Sequence, residues 1–88
     1  MEVVALSEID VFQRVVKIIK PFAKNQEALA KVSNETRILD DLKVNSARLV
    51  DIILELENEF EIELGDEDAD KVRTVGDAVN IITAKAKA

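Results

Sequence analysis

The sequence predicts an all-α fold: a small helical bundle of three main helices plus one short helix, with a long loop after the first helix. Three observations lead there. Apolar residues recur at three- and four-residue spacing through most of the chain. The one proline is Pro21 and the two glycines are Gly65 and Gly76, so helix breakers are few. No stretch of strict alternation is bounded by hairpin turn residues, which leaves nothing to seed a sheet.

The first helix is expected to begin at Ser7, a good N-cap, with Asp10 reaching back as a shortened capping box. Phe12, Val15, Val16, Ile19 and Phe22 then recur at helical spacing. Pro21 has no amide hydrogen to donate, so a break is expected near Lys20, with helical continuation through Ala30 and Asn25 as a second cap. Ser33 to Val44 reads as a long connection, because Ser33, Asn34 and Thr36 compete for backbone hydrogen bonds. Ile38, Leu39, Leu42 and Val44 are expected to pin that loop onto the bundle. The next helix should run from about Ser46 to Glu61, capped by Asn45 or Ser46. Gly65 marks the end of this region, with Ile62 and Leu64 packing inward, and Asp66 to Asp70 supply one short helical turn. The last helix begins with Thr74 as cap and Asp77 three residues on. Its buried side is Val75, Ala78, Val79, Ile81 and Ile82, and its Ala/Lys tail is expected to fray from Thr83. Residues 1–88 are expected to form a single domain.

Composition excludes whole classes of chemistry. There is no cysteine, so disulfides and thiolate metal sites are absent, and no histidine, which removes the usual general base. With no nucleophile–base pair and no phosphate-binding loop, an autonomous enzyme is not expected. Asp66, Asp68 and Asp70 begin like a calcium loop, but Lys71 stands where glycine is needed and Asp77 where a bidentate Glu belongs. No apolar run approaches the roughly 18 residues of a membrane span. Met1 to Ile9 lacks the basic-then-apolar order of a signal peptide, so the default expectation is a cytoplasmic protein, taken as a monomer.

The formal charge is −6, and its distribution is uneven. Leu49 to Asp70 holds ten acids and no base, while the remainder carries eight acids against twelve bases. Such a block repels nucleic acid and favours partners with basic surfaces. At about 100° per residue, Ile53, Leu56 and Phe60 fall within about 40° of Leu49, with Ile52 beside them. Ala47, Val50 and Leu54 form a second apolar stripe at roughly 100° to 160° on the same wheel. Asp51, Glu55 and Asn58 border it on one side and Glu57 on the other. Either the helix is central and packs on two sides, or the second stripe is a docking surface with an apolar middle and an acidic rim.

Residues Asp40-Asp41-Leu42-Lys43-Val44-Asn45-Ser46-Ala47 resemble the acyl carrier protein signature D-L-G-x-D-S-L. The segment Leu49 to Phe60 is similar to that family's recognition helix. Thr36 to Leu42 resembles its loop, Thr74 to Val79 the start of its last helix, and Val15 to Ile19 part of its first. The blocks stand in the family's order and cover nearly the whole chain.

The resemblance implies that a phosphopantetheinyl transferase attaches 4′-phosphopantetheine from coenzyme A to Ser46. The arm's thiol would hold acyl groups as thioesters, for fatty-acid, polyketide or related lipid synthesis. Acyl-processing enzymes with basic patches would dock on Ala47, Val50, Asp51, Leu54, Glu55, Glu57 and Asn58. Free amides and the dipole at a helix N-terminus beside Ser46 suit a phosphate. The alternative is an unmodified, carrier-like interaction subunit, with Ser46 a simple N-cap. Lys43, Asn45, Ala47 and Arg48 depart from the family's Gly, Asp, Leu and common acid. They make this end of the helix less negative, which predicts a specialised carrier with different partners.

Overall fold

The computed structural model describes residues 8–86, so the cap expected at Ser7 lies outside the described residues. Helix α1 spans Glu8–Ile19, and Lys20–Phe22 continue it as a 3₁₀ turn around Pro21. Helix α2 is Gln26–Ala30. A second 3₁₀ turn, Ser46–Arg48, leads into α3, Leu49–Phe60. Helix α4 is Asp66–Lys71 and α5 is Val75–Ala86. The all-α expectation holds. The continuation expected through Ala30 with Asn25 as its cap is the short helix α2: the Asn25 carboxamide oxygen accepts the Ala28 amide at 3.1 Å and restarts the helix after the proline.

Helix α1 packs against α5 and α3. Its buried face is Val11, Val15 and Ile19, spaced four apart. They meet Ile52, Ile53, Leu56 and Phe60 from α3 and Val75, Ala78, Val79 and Ile82 from α5 in one apolar cluster. No polar or charged residue lies buried among the described residues. Leu49 and Ile81, expected in the core, are half-buried at its margin.

The long loop of residues 31–45 has little regular structure, yet it is held from both sides. On one side the Lys24 and Asn25 amides donate to the Leu42 carbonyl at 3.0 and 3.1 Å, and the Asn25 side chain donates to Asp41 O at 3.0 Å. On the other, the Ile38 amide donates to Arg73 O, Val75 to Thr36 O and Gly76 to Asn34 O, at 3.0, 2.9 and 2.8 Å. Ile38, Leu42 and Val44 are buried. Leu39 is not: it is 36% exposed, against expectation, and lines an open groove with Val72 and Arg73. The turn that sends Ile38 and Leu42 inward leaves Leu39 facing outward.

Helix α3 ends at Phe60, next to the end expected at about Glu61. Glu61 adopts the left-handed conformation with φ 54° and closes the helix, while Gly65 instead precedes α4 as its N-cap. Leu64 is buried and Ile62 half-buried beneath this link. The cap of α5 is as expected: Thr74 Oγ1 accepts the Asp77 amide at 3.0 Å, and the Asp77 carboxylate accepts the Thr74 amide at 3.1 Å. Helix α5 runs through Thr83 as far as Ala86 among the described residues. Ile82 is buried, Thr83 donates back to Val79 O at 2.7 Å, and Lys85 pairs with Asp68 at 3.1 Å.

Two predictions follow from these contacts. A methyl group at Gly76 would lie 2.8 Å from the Asn34 carbonyl oxygen, so Gly76→Ala forces the loop away from α5. The expected loss is about 1–3 kcal/mol, read by urea unfolding. Second, the Lys85 ammonium, and then the Gly65 amide, hold the Asp68 carboxyl below its ordinary value of 3.8. The lowered value means that ionised Asp68 favours the folded state above that pH, and that the benefit disappears as pH falls through the folded value. Wild type should therefore melt above Asp68→Asn at pH 7, and the two melting temperatures should converge as pH falls below the ordinary carboxylate range.

Candidate functional site

The chain arrives at Ser46 through two anchored residues. Leu42 and Val44 are buried, and the Val44 amide donates to Ile38 O at 3.4 Å. Asn45 is extended, with φ −63° and ψ 131°, and directs the chain into the 3₁₀ turn that Ser46 opens. The Asn45 side-chain oxygen accepts the Ala47 amide at 2.9 Å, and its carbonyl accepts the Arg48 amide at 2.8 Å.

This settles which residue caps the 3₁₀ turn that leads into α3. Asn45 does, and Ser46 does not. The Ser46 hydroxyl is exposed and forms no hydrogen bond among the described residues. The same geometry corrects the expected phosphate cradle. The first two amides beyond Ser46 are already used by Asn45, so they are not free for an incoming anion. The fit to a phosphodiester rests instead on an exposed, uncommitted oxygen on a firmly held turn.

The two faces of α3 separate as the wheel suggests. Ile52, Ile53, Leu56 and Phe60 are buried, whereas Val50 is 63% and Leu54 52% exposed. No other described element covers the second stripe, so the helix is not packed on two sides. Ala47, Glu55 and Asn58 are exposed beside it, and Asp51 and Glu57 are partly buried. Two of the acids have local duties that the sequence did not reveal. Asp51 Oδ2 lies 3.0 Å from Arg48 Nη1, and Glu57 Oε2 accepts the Leu64 amide at 2.7 Å. The spacing of Arg48 and Asp51, three apart, was the available signal for the first. The second crosses seven residues and an irregular link, and carries no sequence signature.

A helical scaffold that holds one serine outward at the head of an acidic helix is the build of a carrier domain. A family model described as "Phosphopantetheine attachment site" matches residues 13–82. The mitochondrial acyl carrier protein of Saccharomyces cerevisiae is 38% identical over 85 residues, covering 94% of this chain and 68% of the yeast protein. The solved acyl carrier protein from Enterococcus faecalis is 38% identical with a TM-score of 0.74, covering 90% of this chain and 98% of that one. The chain belongs to the acyl carrier protein family. Members are carriers rather than enzymes, and their cofactor is covalent 4′-phosphopantetheine. Among the described residues no helix is long and apolar enough to cross a membrane.

Lys43, which stands in place of the signature glycine, has φ 58°. A side chain in this left-handed region is opposed by contact between Cβ and the carbonyl. Lys43→Gly should raise stability by about 0.5–1 kcal/mol, the relieved strain less glycine's entropy. Lys43→Val should lower it, and a parallel urea series on the three proteins measures both.

Proposed function

We propose that Ser46 carries the 4′-phosphopantetheine arm and that the chain presents acyl groups on it to partner enzymes of fatty-acid, polyketide or related lipid synthesis. The observation that carries this reading is the division of labour between Asn45 and Ser46. Asn45 caps the turn, which leaves the serine oxygen with no structural task. A phosphopantetheinyl transferase would join that oxygen to the phosphopantetheine moiety of coenzyme A, with release of adenosine 3′,5′-bisphosphate. The group supplies a terminal thiol that this chain lacks, and with it the thioester chemistry.

The protein's own residues then do two things. The anchored loop fixes the point from which the arm swings, and the exposed face of α3 offers every partner the same surface. We assign that surface to Ala47, Val50, Asp51, Leu54, Glu55, Glu57 and Asn58. Its apolar centre and charged rim suit partners that bind, act and leave. A monomer in the cytosol is part of the same reading; the mitochondrial location in the yeast relative's name is said of that protein.

Intact-mass spectrometry of protein from its native host tests the assignment. Wild type should gain one phosphopantetheine, and Ser46→Ala none. Because Asn45 holds the cap, Ser46→Ala should change stability by no more than about 0.5 kcal/mol, whereas Asn45→Ala should cost about 1 kcal/mol. Unmodified wild type in its host and with several transferases would favour the interaction-subunit alternative.

A further inference from the structure

The acids that border the exposed stripe are not equivalent. Arg48, Asp51, Glu55 and Glu59 are spaced three, four and four apart, so they form one row along α3. Asp51 is paired with Arg48 at 3.0 Å. Glu59 is paired with Arg14 of α1 at 3.5 Å, and that guanidinium also lies over the Phe60 ring, 5.8 Å from its centre. Glu57, across the stripe, is held by the Leu64 amide at 2.7 Å. Glu55 is exposed and has no ion pair or hydrogen bond among the described residues. It is the uncommitted carboxylate of these four.

Arg48 is the only base between Val44 and Asp70, and it stands two residues after Ser46. Its side chain is 64% exposed and that of Asp51 45%. An exposed pair of this kind is weak and easily rearranged. A guanidinium has five donors, so Arg48 can keep Asp51 and still receive a second carboxylate. A lysine or arginine brought to the same place meets a like charge, and finds Asp51 already engaged.

We propose that Arg48 and Glu55 make the docking face of α3 a two-sign surface, and that Arg48 is its specificity-determining residue. The partner it fits presents a carboxylate to Arg48, an apolar side chain to Val50 and Leu54, and a lysine or arginine to Glu55. Partners that are basic along the whole contact are rejected at the Ser46 end. This rests on the carrier reading above and names the chemistry of the enzymes that read it. Charge complementarity selects the occupant: the row runs from positive beside Ser46 to negative at Glu55, and a second copy laid antiparallel would set the Glu-rich ends of α3 beside each other's Arg48 while leaving both Glu55 carboxylates near like charge.

The test uses the full chain, coenzyme A and a purified phosphopantetheinyl transferase whose carrier-docking face is basic. Wild type, Arg48→Glu, Arg48→Gln and Glu55→Gln are compared by the rate of mass gain at Ser46 and by its dependence on ionic strength. Glutamate in the first turn suits the helix dipole, so the variants keep the fold, and circular dichroism checks this. Arg48→Glu should raise kcat/KM roughly tenfold, mainly through KM and with a steeper fall in added salt, as expected for a rim charge. Arg48→Gln should lie between, and Glu55→Gln should lower the value. Modification of Arg48→Glu when wild type is refractory is the same result in its extreme form. Equal rates for wild type and Arg48→Glu, with Ser46 modified in both, overturn this proposal and leave the carrier reading intact. No modification of Ser46 in any of the four, with several transferases and in the native host, overturns both.

Discussion

The constraint on which the rest of the structure depends is the fastening of one irregular loop. Residues 31–45 connect α2 to the Ser46 turn without a regular element of their own. A loop of this length would be free to wander, and ordering it is opposed by about 1–2 kcal/mol per residue of backbone entropy. It is ordered because its backbone groups find partners on two separate elements. Leu42 O receives amides from the segment after α1, while Asn34, Thr36 and Ile38 exchange hydrogen bonds with the residues that lead into α5. Ile38, Leu42 and Val44 then fill the space between the helices. The loop therefore acts as the tie between α1, α3 and α5, and Ser46 stands at its end.

A second layer of control is local and electrostatic. The 3₁₀ turn that leads into α3 needs a side chain to satisfy its first amides. Either Asn45 or Ser46 has the right chemistry for that task. The extended backbone of Asn45 gives the task to the carboxamide and turns the serine outward. Had the serine been the cap, its oxygen would be engaged with the backbone. A cap one residue earlier thus separates holding the helix from presenting the hydroxyl. Glu57 combines two tasks: its position suits a docking rim, and its carboxylate also holds the link after α3.

Much of this was legible in the residues, and the limits have physical causes. The three long helices follow from apolar periodicity, and the Thr74–Asp77 cap from a motif whose two hydrogen bonds form within four residues. The two faces of α3 were legible as angles on a wheel, but which face lay open was not. That depends on whether another element covers Val50 and Leu54, a question of tertiary packing. Leu39 shows the same limit: four apolar residues in a loop were all assigned inward, and without a fixed period nothing marked the one that turns out. The anchoring of the chain after Thr83 was not legible either, because its partner is distant in sequence. Lys85 reaches Asp68 of α4, seventeen positions earlier in the chain, and short-range propensity does not see such a contact.

The open stripe on α3 also bears on how the protein can expose leucine and valine and still serve a transient role. Contiguous apolar surface promotes association. Here two features oppose it. The stripe is narrow, with Ala47 as its third member, so little area is available to bury. Beyond Arg48 the acids of α3 and the link after it give a single-sign field, and like fields repel as two copies approach. The same field would attract a basic partner of the kind proposed above from a distance. An interface built this way gains encounter rate from charge and only modest residence from apolar contact. A carrier that must visit several enzymes in turn needs that balance, because a wider stripe would slow release and a less acidic rim would slow arrival. In the docking proposed above, Arg48 would perturb the balance at one end only, beside Ser46, and so discriminate among partners without removing the attraction that brings them.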